Sequence, residues 1–179
     1  MLVNMNQMLA MAKEKHFAVG AFNVSESNLF RTVVEAAEAN DAPAIIAVHP
    51  TELDYCKDDF IKYVVARCSN SPVPFVIHMD HGDSIESIMR AVHCGFTSVM
   101  IDGSSHSFED NIALTRKVVE YAHDHGVVVE GELGTLAGIE DEVSHAVGSY
   151  TRPEEVEEFV TKTGVDSLAI AIGTSHGAY

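Results

Sequence analysis

With 179 residues, 46% of them hydrophobic, the chain has the size and apolar content of one ordinary folded domain. Its formal net charge of −16 at pH 7 would repel the phosphate backbone of nucleic acids, so we expect no nucleic-acid partner. There is no apolar run of about 18 or more residues, so we expect no membrane span. Residues 1–15 show no leader pattern, and the 3 cysteines include no CxxC pair. We therefore expect a cytoplasmic protein.

Six short apolar runs recur at regular intervals, and most are continuous rather than alternating. They are His16–Phe22, Ala42–Val48, Pro74–Met79, Ser98–Ile101, Val127–Gly131 and Ser167–Ile172. Continuous apolar runs of this length are typical of parallel strands that are buried on both faces.

Patterns typical of helices precede the first run and separate later ones. Asp83 with Glu86 resembles a capping box, and Thr151 followed by Pro153 marks another helix start. Apolar stripes indicate three more helices, at Met5–Ala12, at Leu29, Val33, Ala36 and Ala37, and at Leu114, Val118, Tyr121 and Ala122. This alternation predicts a parallel α/β sheet with helical crossovers.

A (β/α)8 barrel and a doubly wound sheet both have this alternation. A doubly wound sheet that binds a dinucleotide has a glycine fingerprint after its first strand. The first apolar run here leads into residues 22–27, which contain no glycine. The missing fingerprint disfavours a dinucleotide-binding sheet but leaves other doubly wound sheets open.

Acidic residues and histidines follow four successive apolar runs, each with a glycine close by. They are Asp80 and His81, Asp102, Glu132, and His176. Ligands bind at this carboxyl edge in barrels and open α/β sheets. Any one of these residues could simply be a hydrogen-bonding residue, but the coincidence at four strand ends favours a site for zinc or a similar divalent ion.

Three further features have more than one interpretation. Asp80 could move a proton, or it could orient a neighbouring histidine through a hydrogen bond. Leu133–Ser149 is long for a βα loop and carries Glu140, so it could be a lid that supplies a base or a solvated acidic loop. His123–Gly126 has the composition of a metal motif, but we expect it at a helix C-terminus on the opposite rim.

Two long motifs resemble the signatures of class II, zinc-dependent fructose- and tagatose-bisphosphate aldolases. They are Val76–Gly82, and Val129–Gly134 followed by Gly138 and Glu140. Met100–Ser104 and Thr163–Thr174 are similar to the tagatose-type subgroup. The resemblance implies that residues 1–179 are a single N-terminal portion of a (β/α)8 TIM barrel. This barrel would be incomplete, with about the first six strands present and the last two βα units absent.

The resemblance also implies a reaction. This is the reversible aldol cleavage of a ketose 1,6-bisphosphate to dihydroxyacetone phosphate and an aldehyde such as glyceraldehyde 3-phosphate, through a zinc-stabilised enediolate. Such enzymes belong to carbohydrate metabolism, including glycolysis, and we expect a homo-oligomer, a dimer or a tetramer. Asp80 would be the acid/base at the oxygen of the aldehyde half, Glu140 would take the proton from the dihydroxyacetone phosphate carbon, and Asn23 would lie on the substrate side.

The metal roles follow from the same resemblance. His81 and His176 would bind the catalytic Zn²⁺, while Asp102 and Glu132 would line an alternate or second metal position. The backbone of Gly177 would face the phosphate-bearing half of the substrate and a monovalent cation, Na⁺ or K⁺.

The sequence departs from the family pattern in three ways. Ala137 replaces a usual glycine, and His49 replaces a serine or threonine near the substrate, which leaves the sugar open. The family's third zinc histidine lies beyond Tyr179, so we expect the 179-residue chain itself to be inactive.

Two alternatives stay open, namely a metal-dependent hydrolase and an inactive fragment that binds sugar phosphates. The hydrolase generally has an early His-x-His strand end, where this chain has Phe22–Val24.

Overall fold

The computed structural model describes residues 1–140, 143–145, 148–173 and 175. The strands are β1 Ala21–Asn23, β2 Ala44–Val48, β3 Phe75–Gly82, β4 Ser98–Ile101, β5 Val128–Leu133, β6 Gly138–Glu140, β7 Val143–His145 and β8 Ser167–Ile170. The helices are α1 Met5–Lys15, α2 Ser27–Ala39, α3 Pro50–Ser69, α4 Ile85–Cys94, α5 Phe108–Asp124 and α6 Pro153–Thr163. No helix in this described part of the chain has both the length and the apolarity needed to cross a membrane.

Six strands form one parallel sheet in the order β1-β2-β3-β4-β5-β8. The order follows the chain and never reverses, as it would at the switch point of a doubly wound sheet. The sheet curls into a half-barrel with its helices alternating between strands, which confirms the prediction of an incomplete (β/α) barrel. Strands β6 and β7 form a separate antiparallel hairpin in the long loop after β5.

Each strand has an outer face toward the helices and an inner face toward the barrel axis, because successive side chains point to opposite sides. On β3, Phe75, Ile77 and Met79 join the large outer core. Val76 belongs to a smaller inner cluster with Met5 and Met8 of α1. Helix α1 therefore covers the inner face near the start of the strands, and the polar residues of the inner face lie toward the strands' carboxyl ends.

Several predicted ends of helices and strands were wrong, because local hydrogen bonds and backbone conformations place them elsewhere. His16 caps α1 in a left-handed conformation with φ 57°, so the strand predicted from His16 begins only at Ala21. Helix α4 is capped by Ser84, whose side chain accepts a hydrogen bond from the Ser87 amide, so the predicted pairing of Asp83 with Glu86 is one residue out of register. Thr151 does not cap α6, and its hydroxyl donates to the Leu133 carbonyl instead.

Two helices differ from the predicted patterns. No helix was predicted over Pro50–Ser69, where α3 lies, and this helix is interrupted at Lys57 by a non-helical φ of 66°. In α2 the fully buried positions are Phe30 and Val34, whereas Leu29 is 41% exposed. Packing against the outer face of the sheet, rather than the residue pattern alone, therefore sets the buried stripe of α2.

The segment His123–Gly126 lies where the sequence predicted it, away from the carboxyl ends of the strands. Helix α5 ends at Asp124, and Gly126 follows with φ 73°. His123 Nε2 lies 2.8 Å from an oxygen of Asp166, just before β8 begins. This pairing links the helix to the amino-terminal end of the sheet.

Candidate active site at the carboxyl ends of the strands

A bulge at the end of β3 allows Asp80 and His81, adjacent in sequence, to reach the same rim. The pairing of β3 with β4 shifts register between Met79 and Gly82, and His81 has a left-handed φ of 46°. In a regular strand these two side chains would point to opposite faces. Gly82 permits the bulge, because a Cβ there would lie 2.5 Å from the carbonyl oxygen of Met100.

Three of the four predicted donor residues come together at this rim. His81 Nδ1 lies 2.9 Å from Asp102 Oδ2 and 3.6 Å from Glu132 Oε2. One ligand atom from each residue lies within 4.8 Å of the others. The other oxygen of Asp102 accepts a hydrogen bond from the Ser104 amide at 2.9 Å, which fixes the carboxylate. We call these three residues the His81–Asp102–Glu132 cluster.

The cluster is largely buried, and its charges are strongly coupled. Burial alone would lower the pKa of His81, but the hydrogen bond with Asp102 and the charges of Glu132, Asp80 and Asp102 raise that pKa to about 9. Burial alone would raise the pKa of Asp102, but hydrogen bonds from His81 and Ser104 lower it to about 2. Burial, followed by the charge of Asp102, raises the pKa of Glu132 to about 8. Without a metal ion, His81 and Asp102 therefore form an ion pair, and the raised pKa of Glu132 favours its protonated form at neutral pH.

A metal ion fits this donor set. Glu132 Oε2 is a buried carboxylate oxygen with no hydrogen-bond partner among the described residues. A buried acceptor without a hydrogen bond is costly, and a cation would satisfy it. Imidazole nitrogen and carboxylate oxygen are donors that zinc accepts in catalytic sites.

Asp80 lies beside the cluster and has a different partner. Asn23, at the end of β1, donates from Nδ2 to Asp80 Oδ2 at 2.9 Å. Asp80 also lines a cleft of about 370 Å³ on the inner face of the sheet. The structure thus brings the predicted substrate-side asparagine to the predicted acid/base residue.

Sequence reasoning gave no role to a second polar layer below this rim. His78 Nδ1 lies 2.9 Å from Ser98 Oγ, and His78 Nε2 lies 3.7 Å from Glu130 Oε2. Burial lowers the pKa of His78 to about 4, and burial with the charge of Asp80 raises that of Glu130 to about 7. The available signal was spacing, since these residues lie two positions before Asp80 and Glu132 and therefore share their face.

Of the remaining predicted residues, His49 lies within the described structure, and the side chains of Glu140 and His176 do not. His49 is buried at the end of β2, where its Nδ1 accepts the Thr51 amide at 3.2 Å and its ring centroid lies 6.4 Å from that of His81. The backbone of Glu140 belongs to β6, but its side chain lies outside the described part of the structure. His176 and Gly177 also lie outside the described residues, so their roles stay predictions.

Comparison with known proteins agrees with this architecture. The family model described as "Fructose-bisphosphate aldolase class-II" matches residues 3–179. The chain is 47% identical over 184 residues to the "Probable fructose-bisphosphate aldolase" of Bacillus subtilis (strain 168), and the match covers 99% of this chain and 64% of that protein. It is 44% identical over 182 residues to the fructose-bisphosphate aldolase of Staphylococcus aureus (strain Mu50), with the same two coverages.

The chain is also similar to solved structures of aldolases. The YdjI aldolase from Escherichia coli K12 superposes with a TM-score of 0.88 at 37% sequence identity, and the match covers 100% of this chain and 63% of that one. The chain therefore spans less than two thirds of the length of these relatives.

Proposed function

Because the chain belongs to the class II fructose-bisphosphate aldolase family, we propose that it is the N-terminal portion of a zinc-dependent aldolase barrel, residues 1–179. The proposed reaction is the reversible cleavage of a ketose 1,6-bisphosphate, of fructose or tagatose type, to dihydroxyacetone phosphate and an aldehyde such as glyceraldehyde 3-phosphate. The observation that carries the proposal is the His81–Asp102–Glu132 cluster beside Asp80. We propose this reaction for the whole protein.

In this proposal His81 holds the zinc ion, with His176 as a second imidazole ligand. Asp102 and Glu132 line the same position or an adjacent one. When bound, zinc supplies Lewis-acid chemistry that disperses the negative charge developing on the ketose carbonyl oxygen. The buried Glu132 oxygen without a hydrogen-bond partner supports a role in holding a cation.

The proton transfers fall to two carboxylates. In the cleavage direction Asp80 accepts the proton of the hydroxyl on the aldehyde half, while the carbon–carbon bond breaks and its electron pair moves toward the ketose carbonyl. Glu140 then returns a proton to the carbon of the dihydroxyacetone phosphate half, and in the reverse direction it removes that proton. Asn23 restrains one oxygen of Asp80 through its hydrogen bond and leaves the other oxygen for substrate.

The proposal extends to the setting of the protein. We place it in the cytoplasm, since an odd number of cysteines, Cys56, Cys68 and Cys94, without a CxxC pair fits reduced thiols better than a disulfide framework. We expect a homo-oligomer, a dimer or a tetramer, and a monovalent cation, Na⁺ or K⁺, near Gly177.

A fusion protein tests this function. The part of the Bacillus subtilis relative that the match leaves out would be joined to the 179-residue chain, and cleavage of fructose and tagatose 1,6-bisphosphates would be measured. We expect cleavage that a chelator abolishes and added zinc restores, with the preferred sugar identifying the substrate type. Chelator-resistant cleavage would contradict zinc chemistry. Sugar-phosphate binding without turnover would favour the inactive binding fragment, and ester hydrolysis without carbon–carbon cleavage would favour the hydrolase.

A further inference from the structure

The buried amide of Asn111, on helix α5, contacts the strand end that carries Glu132. Asn111 is only 2% exposed, and its Nδ2 donates to the backbone carbonyl of Glu132 at 2.8 Å. Its Oδ1 accepts a hydrogen bond from the hydroxyl of Thr115 at 3.0 Å. The orientation of the amide follows from chemistry, because a carbonyl oxygen can only accept and the amide nitrogen must therefore face Glu132.

The same side chain packs against the segment that carries Asp102. A Cβ added at Gly103 would lie 2.2 Å from Asn111 Oδ1 and 2.8 Å from its Cγ, so the loop after β4 touches the amide directly. Asn111 thus contacts the residue that follows Asp102 as well as the backbone of Glu132. Among the described residues, no other side chain donates a hydrogen bond to the Glu132 carbonyl.

This bridge bears on the metal site because one ion would have to contact both carboxyl groups, whose ligand atoms lie within 4.8 Å of each other. Asp102 is restrained by the Ser104 amide and by His81, whereas Glu132 Oε2 has no hydrogen-bond partner among the described residues. Beyond its 3.6 Å contact with His81 Nδ1, this oxygen of Glu132 is held through the Glu132 backbone, which Asn111 restrains.

We propose that Asn111, held by Thr115, is a positioning residue that sets the separation of the Asp102 and Glu132 carboxylates and thereby the geometry and affinity of metal binding. The inference rests on the proposed function in one respect, namely that the His81–Asp102–Glu132 cluster binds a metal ion. It predicts that the hydrogen bond from Asn111, which does not touch the metal ion, affects the positions of the metal ligands. Hydrogen-bond partners of the ligands have this effect in other metal sites.

The test compares three variants of the 179-residue chain. Asn111→Leu removes the bridge at similar volume, and Thr115→Val removes only the hydroxyl that orients it. Thr163→Val is the matched control, because Thr163 is also a buried helix threonine, 3% exposed, and its hydroxyl donates to the Phe159 carbonyl at 2.7 Å. Each variant and the wild type would be titrated with Zn²⁺ against a chromophoric chelator and with Co²⁺ while the visible absorption spectrum is recorded.

We expect Asn111→Leu to weaken zinc binding by about tenfold to a hundredfold and to shift the Co²⁺ absorption bands. Thr115→Val should change the zinc affinity and the Co²⁺ spectrum in the same direction but by less. Thr163→Val should leave the affinity and the spectrum at their wild-type values, even if it lowers the melting temperature as much as the other variants do. If Asn111→Leu fails to fold, Thr115→Val alone decides.

The outcomes separate the two proposals. Metal binding by the wild type with unchanged affinity and spectrum in the Asn111 and Thr115 variants overturns the positioning role and leaves the proposed function intact. Equal shifts in Thr163→Val would reduce the effect to general destabilisation and also overturn it. A wild-type chain that binds neither ion would overturn metal binding by this cluster, and the positioning role with it.

Discussion

The Nδ1 atom of His81 lies 2.9 Å from Asp102 Oδ2, and a β-bulge makes that contact possible. Without the bulge, His81 would point toward the outer helices, and its imidazole could not meet a carboxylate on the inner rim. The backbone conformation at His81, with φ 46°, is therefore part of the site. Such conformations in residues other than glycine occur preferentially at functional positions.

Replacing His81 by alanine should abolish zinc binding by the chain, because the cluster loses its only described nitrogen donor. Isothermal titration calorimetry with zinc measures this directly. The control is His125→Ala, an exposed histidine in the segment His123–Gly126, which should bind zinc like the wild type. Unchanged zinc affinity in His81→Ala would show that the ion binds elsewhere.

Replacing Asp80 by alanine should remove proton transfer and leave the metal in place. In the fusion protein that completes the barrel, we expect turnover to fall on the order of a hundredfold or more while the zinc content stays at the wild-type value. Asp83→Ala, at an exposed position three residues away, is the matched control and should keep its activity. Loss of zinc together with activity would instead assign Asp80 to the coordination shell.

Protonation of Glu38 should make the chain less stable in acid. Hydrogen bonds from Arg67, at 2.8 and 2.6 Å, and from Ser71, at 2.7 Å, lower the pKa of Glu38 to about 2 from 4.5. Because the folded pKa lies below the unfolded one, this contribution is complete above pH 4.5 and is lost as the pH falls through about 2.

Glu38→Gln should therefore lower the melting temperature at neutral pH and flatten its decline between pH 4.5 and 2. Thermal unfolding followed by circular dichroism across this range checks the slope. Glu35→Gln is the control, since Glu35 pairs with Arg31 on an exposed face of α2, where such pairs contribute little. Parallel declines for Glu38→Gln and the wild type would contradict the assignment.

The open edges of the sheet should make the 179-residue chain associate. Among the described residues, strands β1 and β8 each pair with one neighbouring strand, and an unpaired edge invites pairing with another chain. Apolar side chains near these edges are exposed, with Phe22 at 46%, Ile170 at 47% and Ile172 at 76%.

Static light scattering should show species larger than a monomer, and Ile170→Lys combined with Phe22→Lys should reduce their size. Tyr55→Lys, at a position 78% exposed on α3, is the control and should change nothing. A monodisperse wild-type monomer would show that these edges are protected in a way the described residues do not reveal.

Much of the rim could be predicted from the sequence, because strand ends in a parallel sheet share one edge. The apolar runs located five of the six sheet strands within about three residues at each end, and they placed Asp80, Asp102 and Glu132 at the ends of neighbouring strands. The helix α3 escaped detection because its pattern is interrupted, and the conformation at Lys57 marks that interruption.

The sequence by itself determined the β-α alternation, the edge that collects the polar residues and the family motifs, since these depend on local periodicity and chain order. Only the tertiary structure decided that His81 turns inward, that Asn23 bonds Asp80 and that Asn111 braces Glu132. The physical reason is range. A bulge depends on the register of the neighbouring strand, and the two side-chain bonds join residues 57 and 21 positions apart, beyond the reach of any local pattern.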